Sequence, residues 1–309
     1  MNKKGNAVSV QKLSFLKSLS RGPVPWLAPL GIVLLLLFVY PTFEVLRYSF
    51  TDASILRNTY NYTLKSYSNI FSNPQTYEVL WITLVFVFFS VLFQTLLGLV
   101  TALAVDKGEE LHLKGTVFIR VIILLSWAIP GIIIGIIWGF LYNETPTGIL
   151  ASFFRRIGWT TVTFLTNPHS ALVCVIVANI WRGSAQSMIL SYAGLKTIPK
   201  EMLEAGQIDG AGAWQRFLRI IMPSLFPVIS TNVILNTILT FNTFDMVMSL
   251  SGGGPGRATE VLAMTSYFSI FRLHNLGRGS AYAVTLLFIN ACMAAVYFYI
   301  LKKRGDNNL

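Results

Sequence analysis

Charge is scarce in this 309-residue chain: 12% of residues are charged and 54% are hydrophobic. A soluble domain carries about twice that share of charge, so the composition excludes a soluble protein and indicates a polytopic membrane protein. Cysteine is scarce too. Cys174 and Cys292 both lie inside apolar runs, where a thiol packs as a small hydrophobe and offers neither a disulfide framework nor a metal site. No Gly-x-x-x-x-Gly-Lys-Ser/Thr loop, HExxH or GxSxG motif is present. The nearest glycine cluster, Gly252-Gly253-Gly254-Pro255-Gly256-Arg257, lacks the lysine and the spacing. His112, His169 and His274 fall in loops far apart in sequence. No catalytic constellation, metal site or nucleotide site is therefore expected, and a chain driven by ATP would need a partner to bind it.

What is present is six apolar stretches, at 24–40, 79–105, 121–142, 171–192, 225–250 and 281–301. Each is long enough to approach or exceed a bilayer crossing. The expected organisation is a basic segment 1–23, a six-helix membrane domain 24–301 and a tail 302–309. The basic start followed by an apolar run resembles a secretory signal, but no small-x-small cleavage site follows and further spans come later, so an uncleaved first span is the better reading. Pro130 is expected to kink the third span, where Gly131, Gly135 and Gly139 make a small-residue face. Net charge is +11, yet the basic residues form no nucleic-acid-binding stripe; they flank the spans. Fifteen Lys and Arg fall on the side that holds both termini, eight fall on the other and Arg182 lies within a span. The larger count marks the cytoplasm.

Polar groups inside spans are costly and face a cavity or a partner. On a continuous fifth helix, Asn232, Asn236, Thr240 and Thr243 fall within about 80° of one face. Hydroxyls and amides both donate and accept, which suits a neutral polyhydroxyl solute or helix–helix bonding. Asn179, Gly183 and Gln186 share one face of the fourth span. Trp127 and Gly131 flank Pro130, and an aromatic face suits the C–H face of a sugar ring. Asp245 would lie opposite the fifth-span stripe, as a structural group paired with Arg182 whose loss impairs assembly. With no carboxylate on the stripe, an ion-coupled secondary transporter is disfavoured.

Residues 196–222 are polar but rich in structural signals. Pro199 suits a first helical turn. Glu201 and Glu204 sit near the positive end of that helix. Ala205 and Gly206 give a smooth surface for another protein. Asp209-Gly210-Ala211-Gly212 breaks the helix. A second helix is expected, with Trp214, Phe217, Leu218 and Ile221 on one apolar face.

Glu204-Ala205-Gly206, Gly210 and Ile220-Ile221-Met222-Pro223 resemble the Glu-Ala-Ala loop of permease subunits of bacterial ABC importers, with Gly206 in place of Ala and Met222 in place of Leu. Asn179-Ile180-Trp181, Phe241-Asn242-Thr243-Phe244-Asp245 and Gly252-Gly253-Gly254-Pro255 extend the resemblance to the carbohydrate branch, maltose-type first permease. It runs from about Pro25 to Lys303 and implies an all-α permease fold. A coupling helix at 199–210 would present Glu201, Glu204, Ala205, Gly206, Asp209 and Gly210 to an ATPase. The partners implied are a second homologous permease, two ATPase subunits holding ATP and Mg, and a solute-binding protein docking on 60–77 and 252–257. The location implied is the bacterial cytoplasmic membrane. Aligned on the loop and its flanks, the family's sugar-contact positions fall on Trp127, Gly131, Asn179, Gly183, Gln186, Asn236, Leu239, Thr240 and Thr243. An anionic cargo such as glycerol phosphate is the rival within the same family, with Arg182 as its support.

Overall fold

The computed structural model describes residues 24–159 and 161–306. The expected basic segment 1–23 and the last tail residues, 307–309, lie outside them. Among the described residues five helices are long and apolar enough to cross a membrane, or six if a bent pair counts as one span.

The crossings are longer than the apolar runs, because helix signals lie outside the apolar core. The first runs through α1 (Val24–Leu34), a π turn (Leu35–Val39) and α2 (Tyr40–Ser49). A short α3 (Lys65–Ser72) leads into α4 (Pro74–Glu110), and the fourth crossing is α8 (Pro168–Lys196). The two long helices start alike. Asn73 accepts from the Gln75 amide and Asn167 from the His169 amide, with Pro74 and Pro168 following. An Asn cap and a Pro at the first helical position satisfy orphan donors at no cost.

Two expectations of continuous helices are overturned. The third span is not a kinked helix but two helices, α5 (Thr116–Ala128) and α6 (Gly131–Leu141), bent by 105°. Proline disfavours a helical residue before it, and Ile129 and Pro130 are both extended, with ψ 130 and 140. A short α7 (Ile149–Arg156) follows. The fifth span also breaks. Its helix α11 (Met222–Phe241) stops, and α12 (Asp245–Leu250) begins after a three-residue break. There Asn242 Nδ2 donates to the Ile238 carbonyl at 2.7 Å and Thr243 Oγ1 to the Leu239 carbonyl at 3.1 Å. Short polar side chains that bond the last carbonyls compete with further helix.

The loop helices are α9 (Lys200–Ile208) and α10 (Ala213–Arg216). The second does not stand apart as expected. Through a π turn (Phe217–Ile221) it runs straight into α11, making one 29-residue element, Ala213–Phe241. Both π turns end two residues before a proline, Pro41 and Pro223, which has no N–H for the helical ladder. The stretch after α12 holds α13 (Leu262–Phe271) and the final α14 (Leu276–Asp306).

Glycines set the closest contacts. The largest helix interface joins α4 to α8, where a Cβ on Gly98 would stand 2.2 Å from Ser187 Cβ. The α6 glycine face packs on α12: a Cβ on Gly135 would meet Ser249 Oγ at 2.0 Å, whereas one on Gly139 meets nothing nearer than 4.0 Å. One apolar cluster joins α4, α6, α8 and α12–α14; a second lies near the loop helices, around Leu99, Met188, Leu195 and Leu225.

Candidate functional site

The polar side chains inside the spans converge on a cavity of about 240 Å³. Of the nine positions expected along the pathway, Trp127, Asn179, Gly183, Gln186, Asn236, Leu239, Thr240 and Thr243 line it. Gly131 does not. A Cβ there would lie 2.0 Å from Asp245 Oδ2, so this glycine admits the Asp245 carboxylate beside α6. Gly183 has a similar role on the cavity wall itself, since a Cβ there would overlap the Gln94 amide at 2.3 Å. Gln94 Nε2 donates to the Asn179 carbonyl at 2.9 Å. Asn236 Nδ2 donates to Ser187 Oγ at 2.7 Å and to Asn232 Oδ1 at 3.2 Å. Asn232 is therefore buried behind the wall, not on the lining as its place in the stripe suggested.

Asp245 is the larger correction. On a continuous helix it would lie opposite the stripe. The break at Asn242–Phe244 turns it back, and it lines the same cavity. Arg182 Nη1 donates to Asp245 Oδ1 at 3.5 Å, joining α8 to α12. The site thus holds one cation, one anion and a set of amides and hydroxyls. The lining also includes Gln94 and Asn242, which sequence reasoning missed. Gln94 was visible as the one amide side chain in the second span, beside the smaller hydroxyls of Thr83, Ser90, Thr95 and Thr101; Asn242 needed the helix break.

The loop site is built around α9. Pro199 precedes the helix as its cap, with ψ 132, and does not occupy the first turn. Gly210 ends the motif in the left-handed region, φ +79, while the Ala211 amide donates to the Gly206 carbonyl at 2.9 Å. Glu201, Glu204, Ala205, Asp209 and Gly210 are exposed. Gly206 turns inward instead: a Cβ there would lie 2.8 Å from Ile220 Cδ1. Its smallness is therefore used in packing within the chain, and the residue is half-buried. The expected apolar face of the second helix also divides. Phe217 and Ile221 join Leu203 in the second core, while Trp214 and Leu218 are exposed. The exposed apolar groups on α9 are Met202 at 46% and Ile208 at 86%, a signal not singled out from the sequence.

An ionic cluster anchors the junction between α8 and α9. Lys196 Nζ lies 2.7 Å from Asp106 and 3.0 Å from Glu109, and Arg120 lies 3.2 Å from Glu109. The Tyr192 hydroxyl donates to Glu109 as well. This ties the last residue of α8 to the ends of α4 and α5.

Residues 94–305 match the family described as binding-protein-dependent transport system inner membrane component. The chain is 31% identical over 280 residues to the sulfoquinovosyl glycerol transport system permease protein SmoG of Agrobacterium fabrum, covering 90% of this chain and 89% of that one. It is 33% identical over 243 residues to the trehalose/maltose transport system permease protein MalF of Thermococcus litoralis, covering 79% and 80%. The sn-glycerol-3-phosphate transport system permease protein UgpA of Brucella abortus is 30% identical over 300 residues, covering 96% and 99%. Among solved structures, a bacterial ABC transporter involved in import of the acidic polysaccharide alginate superposes with TM-score 0.81 at 20% identity, over 94% of this chain and 99% of that one. At that identity the likeness concerns the fold.

Proposed function

The chain belongs to the inner membrane components of binding-protein-dependent transport systems, and from that membership we propose that it forms half of the pathway of an ATP-driven importer for a sugar or oligosaccharide. It is a multi-pass inner-membrane protein. The observation that carries the cargo class is the cavity lining. Asn179, Gln186, Asn236, Thr240 and Thr243 surround it with groups that donate and accept, beside the exposed ring of Trp127.

A second permease of the same fold completes the pathway. Two ATPase subunits bind ATP and Mg and receive α9 through Glu201, Glu204, Ala205, Asp209 and Gly210, with Met202 and Ile208 as apolar contacts. The chain itself hydrolyses nothing. A solute-binding protein delivers cargo at the opposite face, and both termini are cytoplasmic. ATPase closure moves α9, and the Lys196 cluster passes that movement to α4, α5 and α8, alternating access to the cavity.

The test is a mild-detergent pull-down of the tagged chain, then uptake of labelled sugar into proteoliposomes of what comes off. ATPase subunits, a second permease and ATP-dependent uptake, all lost with Glu204→Lys, are expected. A chain that purifies alone and takes up solute without ATP refutes the reading. Arg182 on the cavity wall favours a second reading, an anionic cargo. Selective loss of anion uptake in Arg182→Gln, with normal assembly, would select it.

A further inference from the structure

A second cavity, of about 560 Å³, lies at the other end of the bundle and is lined in part by Asn73, Gln75, Arg257, Glu260, Arg272 and Arg278. Its distance from α9 follows from α4. Gln75 is in the first turn of that helix, and Glu109, bonded to Lys196 beside α9, is in its last. The residues between them span about 50 Å at 1.5 Å each. The cavity is therefore on the face away from the coupling helix.

Its charges do not balance. Arg257 is satisfied: it donates to both oxygens of Glu260, at 2.6 and 3.1 Å, and to Gln75 Oε1 at 2.7 Å. Glu260 is 4% exposed and also accepts from the Thr265 hydroxyl at 2.7 Å. Arg257 and Thr265 thus take three of its roughly four acceptor positions, and neither Arg272 nor Arg278 is bonded to it. Arg272 lies over the Phe268 ring at 3.8 Å, and Arg278 over the Tyr282 ring at 5.8 Å. Among the described residues no carboxylate pairs with either, and Arg278 Nε is buried with no hydrogen-bond partner. Withdrawing a guanidinium donor from water without an acceptor is unfavourable. A planar guanidinium fits a carboxylate in two-point contact.

We infer that this cavity is a socket for an acidic side chain of the solute-binding protein, held by Arg272 and Arg278. The inference rests on the importer reading, which requires a delivery protein at this face. Charge complementarity selects the occupant: two uncompensated cations in a concavity call for one or two carboxylates. Arg257 and Glu260, bonded to each other and to Gln75 and Thr265, form the fixed wall beside them.

The test uses the whole assembly in nanodiscs and a purified solute-binding protein that drives uptake by the wild type. Affinity is measured at low and moderate salt. Arg272→Gln combined with Arg278→Gln should raise Kd about tenfold and flatten its salt dependence. Unchanged affinity and slope in an intact assembly overturn the inference and leave the importer reading standing. If no solute-binding protein binds the wild type, the importer reading itself fails. A second measurement needs no variant. Phenylglyoxal labelling of Arg272 and Arg278 in the wild type should be blocked by the bound solute-binding protein. Undiminished labelling overturns the inference. So does protection by anionic lipid alone, which would assign the socket to a headgroup, or by an anionic sugar alone, which would assign it to cargo.

Discussion

Arg182 and Asp245 are 63 positions apart in sequence, and they meet across 3.5 Å at the cavity wall. The contact is long, and the two side chains are 29% and 39% exposed. A partly solvated pair of this kind contributes about 0–1 kcal/mol. Its place in the cavity therefore matters more for cargo than for folding.

Asp245→Asn should leave yields of intact complex within about twofold, because so little stability rests on the pair. It removes the one carboxylate that lines the cavity among the described residues and leaves Arg182 unopposed. Anionic sugars should then compete more strongly against labelled neutral sugar. Inhibition constants for a neutral and an acidic sugar, wild type against variant, check this. A collapse in assembly yield would instead assign the pair the structural role expected from sequence.

Gly135→Val should destabilise the protein by about 1–3 kcal/mol, as overpacking does, since Ser249 and the Met246 carbonyl leave no room for a side chain. Gly139→Ala, where nothing lies nearer than 4.0 Å, should be tolerated. Monodisperse yield and melting temperature by fluorescence-detected gel filtration separate the two.

On the loop helix, Gly206→Leu and Ala205→Arg should fail differently. The first must displace Ile220 and should lower the thermal stability of the chain itself. The second is on the exposed face and should leave stability intact while reducing co-purified ATPase severalfold. Equal melting temperatures with equal ATPase loss would refute the inward orientation of Gly206.

Lys196→Met should uncouple the assembly. Its ammonium bridges Asp106 and Glu109 at the point where α8 hands over to α9. Exposed pairs contribute about 0.2–1 kcal/mol each, so the assembly should persist. Stimulation of ATP hydrolysis by solute-binding protein and cargo should fall severalfold, while ATPase subunits still co-purify. Undiminished stimulation would show that the cluster transmits nothing.

In the loop after α6, burial raises the pKa of Glu144. The Thr166 hydroxyl and the amides of Phe164, Leu165 and Thr166 outweigh it and hold the carboxyl below its usual range. A depressed folded-state pKa gives stability that is present above the unfolded value and lost as pH falls through the folded one. Exchange protection of the Phe164–Thr166 amides, corrected for intrinsic rates, should therefore hold at pH 5 and fall only below the ordinary carboxylate value of about 4.3. Glu144→Gln should weaken it at neutral pH and at pH 5, with the difference from wild type shrinking as the pH falls below that value.

The sequence by itself determined the solvent and the register of the fold. Scarce charge and six apolar runs leave a chain no stable state outside a bilayer. The order Pro199, Glu201, Gly210, Pro223 delimits a helical loop from local backbone preferences alone. The polar residues of the fourth and fifth spans were legible for the same reason, since a hydroxyl or amide inside a span must face something polar. Only the tertiary structure decided where the helices stop. Periodicity assumes a continuous helix, and each break resets the phase. The 105° bend at Pro130 and the break at Asn242 do this. So Asp245, placed opposite the stripe by 100° steps, faces the cavity instead, and Gly131 packs against its carboxylate. Gly206 is the same lesson at smaller scale. Its lack of a side chain could be read from the sequence, but whether a partner or Ile220 uses the space depends on the angle at which α9 folds back. Leu203 of α9 packs against the second core, a long-range contact that no local preference encodes.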